Sequence, residues 1–380
     1  MRMQEDKVEK TIERRRTGRI FAILAIVAAT ALIICSISMC SADDKLDERA
    51  KEILGTMTTK QKVGQVICIG APAKSATQMK KMQYGGYIFF ADDFAGTSRK
   101  KFKNRIKSIQ NAAKINAFTA VDEEGGTVVR VSMYKRFSSV KFKSPRAYYK
   151  RGGMKKVLSA EKRKCKMLRS IGINMNLAPV ADVAYKSSDY MWPRSFSSNA
   201  KKTSNFISKT VAVMNKMKVV SVLKHFPGYG NNGNTHTDVI RDKRKLGTFK
   251  KRDLKPFKAG IKSGCGMIMI SHNIVKCLDS KRPASISPKV QKYLRKNLGY
   301  DGVIISDSLG MDGVSRFASG QGTLAVKCFK AGTDIVLAAN GTRAAKSILK
   351  AVKNKKISKA RLDRSVLRIL KLKLRMGIIK

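Results

Sequence analysis

From residue 65 onward the chain alternates between short, almost unbroken apolar runs and longer stretches in which apolar residues recur every three or four positions among lysines. The apolar runs are Gln65–Ile69, Tyr87–Phe90, Phe118–Val121, Met175–Ala178, Val219–Leu223, Met267–Ile270, Gly302–Ile305 and Asp334–Leu337. Such short, near-continuous apolar runs suit strands buried on both faces, as in a parallel sheet covered by helices. Eight of them separated by helical patterns predict an α/β fold, a (β/α)8 barrel of the TIM type. The last segment predicts the closing helix: Ser358 stands at its N-cap, Leu362, Val366, Ile369, Leu370 and Leu374 share one face, and Gly377 follows its end. No linker or second domain is visible between residues 41 and 380.

The first forty residues have a different pattern. Residues 1–19 carry seven Lys or Arg and four acids, and Ile20 to Met39 then holds no charge. An uncharged run of that length can cross a hydrocarbon core of about 30 Å as a helix. A cleaved signal peptide would usually have a shorter apolar core, of about 7–15 residues. The expected organisation is a cytoplasmic basic tail at 1–19, a membrane signal-anchor at 20–40 and an extracytoplasmic barrel at 41–380, since basic flanks stay in the cytoplasm. That makes the expected location the cell membrane, spanned once.

Charge narrows the partners. The 380 residues include 79 Lys and Arg against 26 Asp and Glu, a net charge of +53. An outward-facing domain with such a field should attract anionic cell-wall polymers or a membrane surface, with no nucleic acid expected. The seven cysteines, at 35, 40, 68, 165, 265, 277 and 328, show no CxxC pair and read as small apolar fillers. With three histidines and no HExxH, neither a metal nor an organic cofactor is expected.

The chemistry-bearing residues follow the ends of the strands. Asp122 and Arg130 come after the third, Asp182 and Arg194 after the fourth, and Lys224, His225 and His236 after the fifth. His272 follows the sixth, and Asp307 and Met311 the seventh. Lys224 and His225 read as the start of a Gly-, Pro- and Asn-rich loop presented to solvent. Residues at the C-terminal ends of successive barrel strands share one mouth, so these point to one pocket.

The segments VDEEGGTVVR, NLAPVADV, PRSF, KHFPGYG with a downstream TH, MISH and IISDSLGM occur in that order. Over about residues 45–380 they resemble the family 3 glycoside hydrolases, in particular the single-domain β-N-acetylglucosaminidase branch. The resemblance implies a retaining hydrolysis through a covalent glycosyl-enzyme, with Asp307 as nucleophile and His236 as acid/base. It places Asp122, Arg130, Arg194, Lys224 and His225 on the sugar hydroxyls and N-acetyl group. In that branch an Asp stands two residues before the acid/base histidine, and here the position is Asn234. A neutral amide can orient the ring without stabilising its cation, and Asp238, two residues after His236, is the nearby carboxylate able to take over that charge. His272 and Met311 are assigned no definite role. The expected substrate is a glycan ending in β-linked N-acetylglucosamine, such as a peptidoglycan fragment. Phosphorolysis of the same bond, or a weakly active barrel retained to bind the wall, are the alternatives.

Overall fold

Eight parallel strands close around a barrel. In chain order they are β1 (Ile67–Gly70), β2 (Gly86–Phe89), β3 (Phe118–Val121), β4 (Met175–Asn176), β5 (Val220–Phe226), β6 (Met267–Ile270), β7 (Val303–Ser306) and β8 (Val336–Ala338). The computed structural model describes residues 44–380. Residues 44–52 are helical and belong to a separate first unit, and the barrel lies within Ile53–Lys380. The expected tail and membrane helix fall outside the described residues. Among those described, no helix is long and apolar enough to cross a membrane.

The sheet order is β8-β1-β2-β3-β4-β5-β6-β7, each neighbour parallel. The seam between β7 and β8 is thinner than the others and is held by one bridge, Ile305 to Ile335. There the Asp334 and Ile335 N–H groups both donate to the Ile304 carbonyl, at 2.8 and 3.0 Å. Every residue of β2, β3, β5, β6 and β7 is buried, which is why all of these but the end of β5 read as near-continuous apolar runs. A two-stranded ribbon, Arg241–Asp242 with Ile274–Val275, is an addition that the sequence pattern did not announce.

The surrounding helices begin where side-chain oxygens can meet their free N–H groups. Ser98, Ser144, Asn199, Ser287, Asn340 and Ser358 each accept from the backbone three residues on, and each such cap is worth about 1 kcal/mol. Thr58 and Gln61 form a reciprocal capping box. The expected closing helix is Lys359–Arg375, with Gly377 at φ 65° behind it. The helix Leu254–Lys262 packs so tightly on the barrel that a Cβ at Gly260 would lie 2.3 Å from the Leu223 side chain.

One local feature departs from the expected loop. β5 continues through Lys224 and His225 to Phe226, and both are buried, 2% and 4% exposed, instead of being presented to solvent. Neighbouring strand residues ordinarily point to opposite faces. The register between β5 and β6 shifts between Leu223 and Phe226, and both Lys224 and His225 line the same cavity. The Lys224–His225 peptide is cis.

Candidate active site

A cavity of about 690 Å³ opens at the C-terminal end of the barrel. Asp122, Arg130, Arg194, Lys224, His225, His236, Asp307 and Met311 all line it. Asn234, Asp238 and His272 do not.

Its first wall is a charge network on β3 to β5. Lys224 Nζ lies 2.6 Å from Asp122 Oδ1 and 2.7 Å from Glu124 Oε1. Arg194 donates to both Glu124 oxygens, Nε to Oε2 at 3.0 Å and Nη2 to Oε1 at 2.7 Å, the fork geometry that makes arginine pairs strong. Burial disfavours the Glu124 carboxylate, but Lys224 and Arg194 outweigh it and hold the group well below the usual carboxylate range. Burial also disfavours the Lys224 cation, and Asp122 and Glu124 outweigh that, so its pKa is raised. Arg194 therefore has Glu124 as its ion-pair partner, with the Asp182 charge adding a smaller share. Arg130 has no carboxylate partner among the described residues. Its guanidinium reaches only the Val129 carbonyl, at 3.4 Å, leaving it free for a ligand.

The three acids Asp122, Glu123 and Glu124 have three jobs. Asp122 faces the cavity and Glu124 holds the two cations. Glu123, fully buried, accepts from the Arg130 and Val131 N–H groups at 2.8 Å and so folds the Arg130 loop back over β3. The sequence reading named Asp122 alone, and the unbroken acidic run was the available signal for its neighbours.

His225 is fixed by Asp182, which lies fully buried. Asp182 Oδ2 is 2.8 Å from His225 Nδ1 and also accepts the His225 N–H, and its Oδ1 accepts the Tyr229 N–H. With Nδ1–H donated to Asp182, Nε2 is left to accept from Arg194 Nη2 at 3.3 Å.

Asp307 leaves the end of β7 on the opposite side. Ser308 N–H donates to its Oδ1 at 2.8 Å, and it forms no ion pair with Lys or Arg among the described residues. Burial works against its charge. The His225 and His272 rings, the Ser308 N–H and His236 outweigh burial, and its pKa falls below the ordinary aspartate value. His272 sits behind it, outside the cavity: Nε2 donates to the Ser308 carbonyl at 2.9 Å and Nδ1 accepts from Ser285 Oγ at 2.7 Å. It positions the turn that carries Asp307.

His236 reaches the cavity on the loop after β5. The loop is seated on the turn beyond β7, where Gly313 and Asp312 N–H groups donate to the Thr235 and His236 carbonyls. A side chain at position 313 would forbid this seat, since a Cβ would lie 2.7 Å from the Thr235 carbonyl oxygen. Asn234 Oδ1 accepts from His236 Nδ1 at 2.7 Å, which leaves Nε2 without a hydrogen-bond partner among the described residues. His236 stays exposed at the rim, and partial desolvation by the surrounding residues lowers its pKa below the ordinary histidine value, with Arg194 and His225 adding to it against Asp307 and Asp122. Asp238 instead caps its own neighbour, accepting from Val239 N–H at 2.6 Å. No cluster of three or more His, Cys, Asp or Glu able to hold a metal occurs among the described residues.

Residues 58–372 match the model of the glycosyl hydrolase family 3 N-terminal domain. The chain belongs to glycosyl hydrolase family 3. Among curated family 3 relatives, it is 31% identical over 336 residues to β-hexosaminidase A of Pseudoalteromonas piscicida, covering 80% of this chain and 56% of that one. It is 29% identical over 279 residues to the β-hexosaminidase of Methylococcus capsulatus, covering 72% and 81%. A solved family 3 β-N-acetylglucosaminidase from a Paenibacillus superposes with a TM-score of 0.79 at 28% identity, covering 85% of this chain and 63% of its own. The chain thus spans little more than half of the Pseudoalteromonas enzyme and most of the Methylococcus one.

Proposed function

We propose that this chain is a retaining β-N-acetylhexosaminidase that removes terminal β-linked N-acetylglucosamine. The observation that carries the reading is Asp307: a partly buried carboxylate whose pKa lies below the ordinary aspartate value, with no Lys or Arg partner among the described residues, in the same cavity as a histidine whose Nε2 is free. The relatives named as β-hexosaminidases support the substrate class.

In the first step Asp307 attacks the anomeric carbon while protonated His236 gives its Nε2 proton to the departing glycosidic oxygen, leaving a glycosyl ester on Asp307. In the second, His236 takes a proton from water, which displaces Asp307 and frees the sugar. Asp122, Lys224 and Arg130 hold the hydroxyls. Arg194, held by Glu124, and His225 fix the N-acetyl side. Peptidoglycan fragments are the proposed glycans. The charge-free run at 20–39 and its basic flank support anchoring in the membrane with the barrel outside, which fractionation of the full chain tests.

The deciding assay is release of a chromogenic aglycone from its β-N-acetylglucosaminide by the wild type beside Asp307→Ala, with and without phosphate. Free N-acetylglucosamine from the wild type alone supports the reading. A sugar 1-phosphate formed only with phosphate replaces hydrolysis by phosphorolysis, and equal background rates leave a binding barrel.

A further inference from the structure

The opposite end of the barrel carries a second cavity of about 450 Å³, formed where the chain enters β7 and β8. Its wall comes from the helices Pro288–Asn297 and Lys359–Arg375 and from the turns at Gly299–Asp301 and Ala331–Gly332. Six cations line it, Lys292, Arg295, Lys296, Arg361, Arg364 and Arg368.

Three of the six are fixed. Fully buried Asp334 draws in Arg295 at 2.5 Å, Arg368 at 3.5 Å and Arg361 at 3.8 Å. Arg295 also donates to the Tyr300 and Gly302 carbonyls, Arg361 to those of Phe329 and Thr333, and Arg368 to Asp301. One carboxylate balances one guanidinium, so Asp334 leaves a surplus, of which exposed Asp301 offsets a part. Arg361 registers that crowding: burial lowers its pKa, and Arg368, Arg295 and Arg364 push the same way against Asp334. The other three cations, Lys292, Lys296 and Arg364, are exposed at the rim and have no ion pair among the described residues. A floor of ion-paired arginines beneath an exposed cationic rim suits a multiply charged oxyanion, which arginine meets with paired N–H donors.

We propose that this cavity is a binding site for the phosphate groups of a phosphodiester-linked polymer, separate from the catalytic mouth. A flat lipid surface fits less well: the site is concave, and the large exposed apolar side chains, Phe90, Met133, Val140 and Tyr149, all lie outside it. Bound there, the polymer tethers the enzyme by the end of the barrel remote from catalysis and leaves the mouth open.

The test compares two triple variants with the same loss of charge. Lys292→Gln/Lys296→Gln/Arg364→Gln removes the rim of the cavity. Lys100→Gln/Lys103→Gln/Lys107→Gln removes three exposed lysines along the helix Arg99–Ala112, none of which lines this cavity. Binding of poly(glycerol phosphate) is measured at several salt concentrations, alongside inorganic phosphate and vesicles containing phosphatidylglycerol, with hydrolysis of the chromogenic glycoside as the check on folding. The expected result is polymer affinity lower by about tenfold or more, with a shallower salt dependence, in the rim variant only, at unchanged hydrolysis. Equal losses in both triples would mean that the net charge alone attracts the polymer, and would overturn the site. So would a rim variant that loses vesicle binding while keeping the polymer, which would assign the cavity to a lipid headgroup.

Discussion

The two ends of the barrel both bury carboxylates among arginines and lysines, yet they divide the charge differently. At the mouth, Glu124 and Asp122 face Arg194 and Lys224, two against two, and a further, partly buried carboxylate, Asp307, has no Lys or Arg beside it among the described residues. At the base, a single buried carboxylate, Asp334, is shared by three arginines, one of which also meets exposed Asp301. Burial of charge is common to both and so distinguishes nothing. Reactivity belongs where an ionised group is left without a counter-ion facing a cavity, whereas a carboxylate saturated with cations holds structure and leaves positive charge over.

The contrast breaks most sharply at Asp307. Asp307→Asn keeps the size of the side chain and removes the attacking oxygen, so turnover should fall by about a thousandfold or more while a bound sugar is still retained. Steady-state rates paired with calorimetric titration of N-acetylglucosamine check this. A variant with more than about a tenth of the wild-type rate overturns the assignment.

Asp334→Asn should act on stability instead. Removing one partner of a buried ionic network leaves uncompensated charge, here three arginines, at a cost of about 3–5 kcal/mol. Denaturant unfolding reads the loss, and the folded fraction should keep the wild-type KM. Glu124→Gln is the smaller, intermediate case. It frees the Arg194 fork and one contact of Lys224 at the mouth, and kcat/KM should drop by about ten- to a hundredfold, chiefly through KM. An effect on kcat alone would place Glu124 in the chemical step.

Which of these residues the sequence disclosed follows from how each sits on its strand. β3 and β6 have the bounds that their apolar runs predict, because both faces of these strands are buried and their one polar side chain, Thr119, is bonded to backbone. β5 runs on past Leu223 because Lys224 and His225, which read as loop, find their partners in Asp122, Glu124 and Asp182 from neighbouring strand ends. Pairings between distant segments leave no local periodicity, and for the same reason the Asp334 cluster was read only as the start of an apolar run. The two-residue ribbon is too short to have a period at all. The positions that line the mouth were legible because they depend on motif order at strand ends, which a barrel converts directly into proximity.

The finest distinction concerns the two side chains on either side of His236. Asn234 Oδ1 contacts Nδ1 at 2.7 Å, whereas the carboxylate of Asp238 caps Val239. Asn234→Asp places a negative charge against the ring and favours its protonated form, so the His236 pKa should rise by about one unit or more from its lowered value. His236 must carry a proton to protonate the leaving oxygen, and the rate falls as pH climbs through its pKa. The alkaline limb of the pH–kcat/KM profile should therefore move upward, with the gain largest at neutral pH. Asp238→Asn should leave that limb in place, because the carboxylate it removes is committed to the loop backbone. A profile shifted by Asp238→Asn and not by Asn234→Asp would reverse the roles of the two neighbours. A profile indifferent to both would remove His236 from proton transfer and leave Asp307 without its acid.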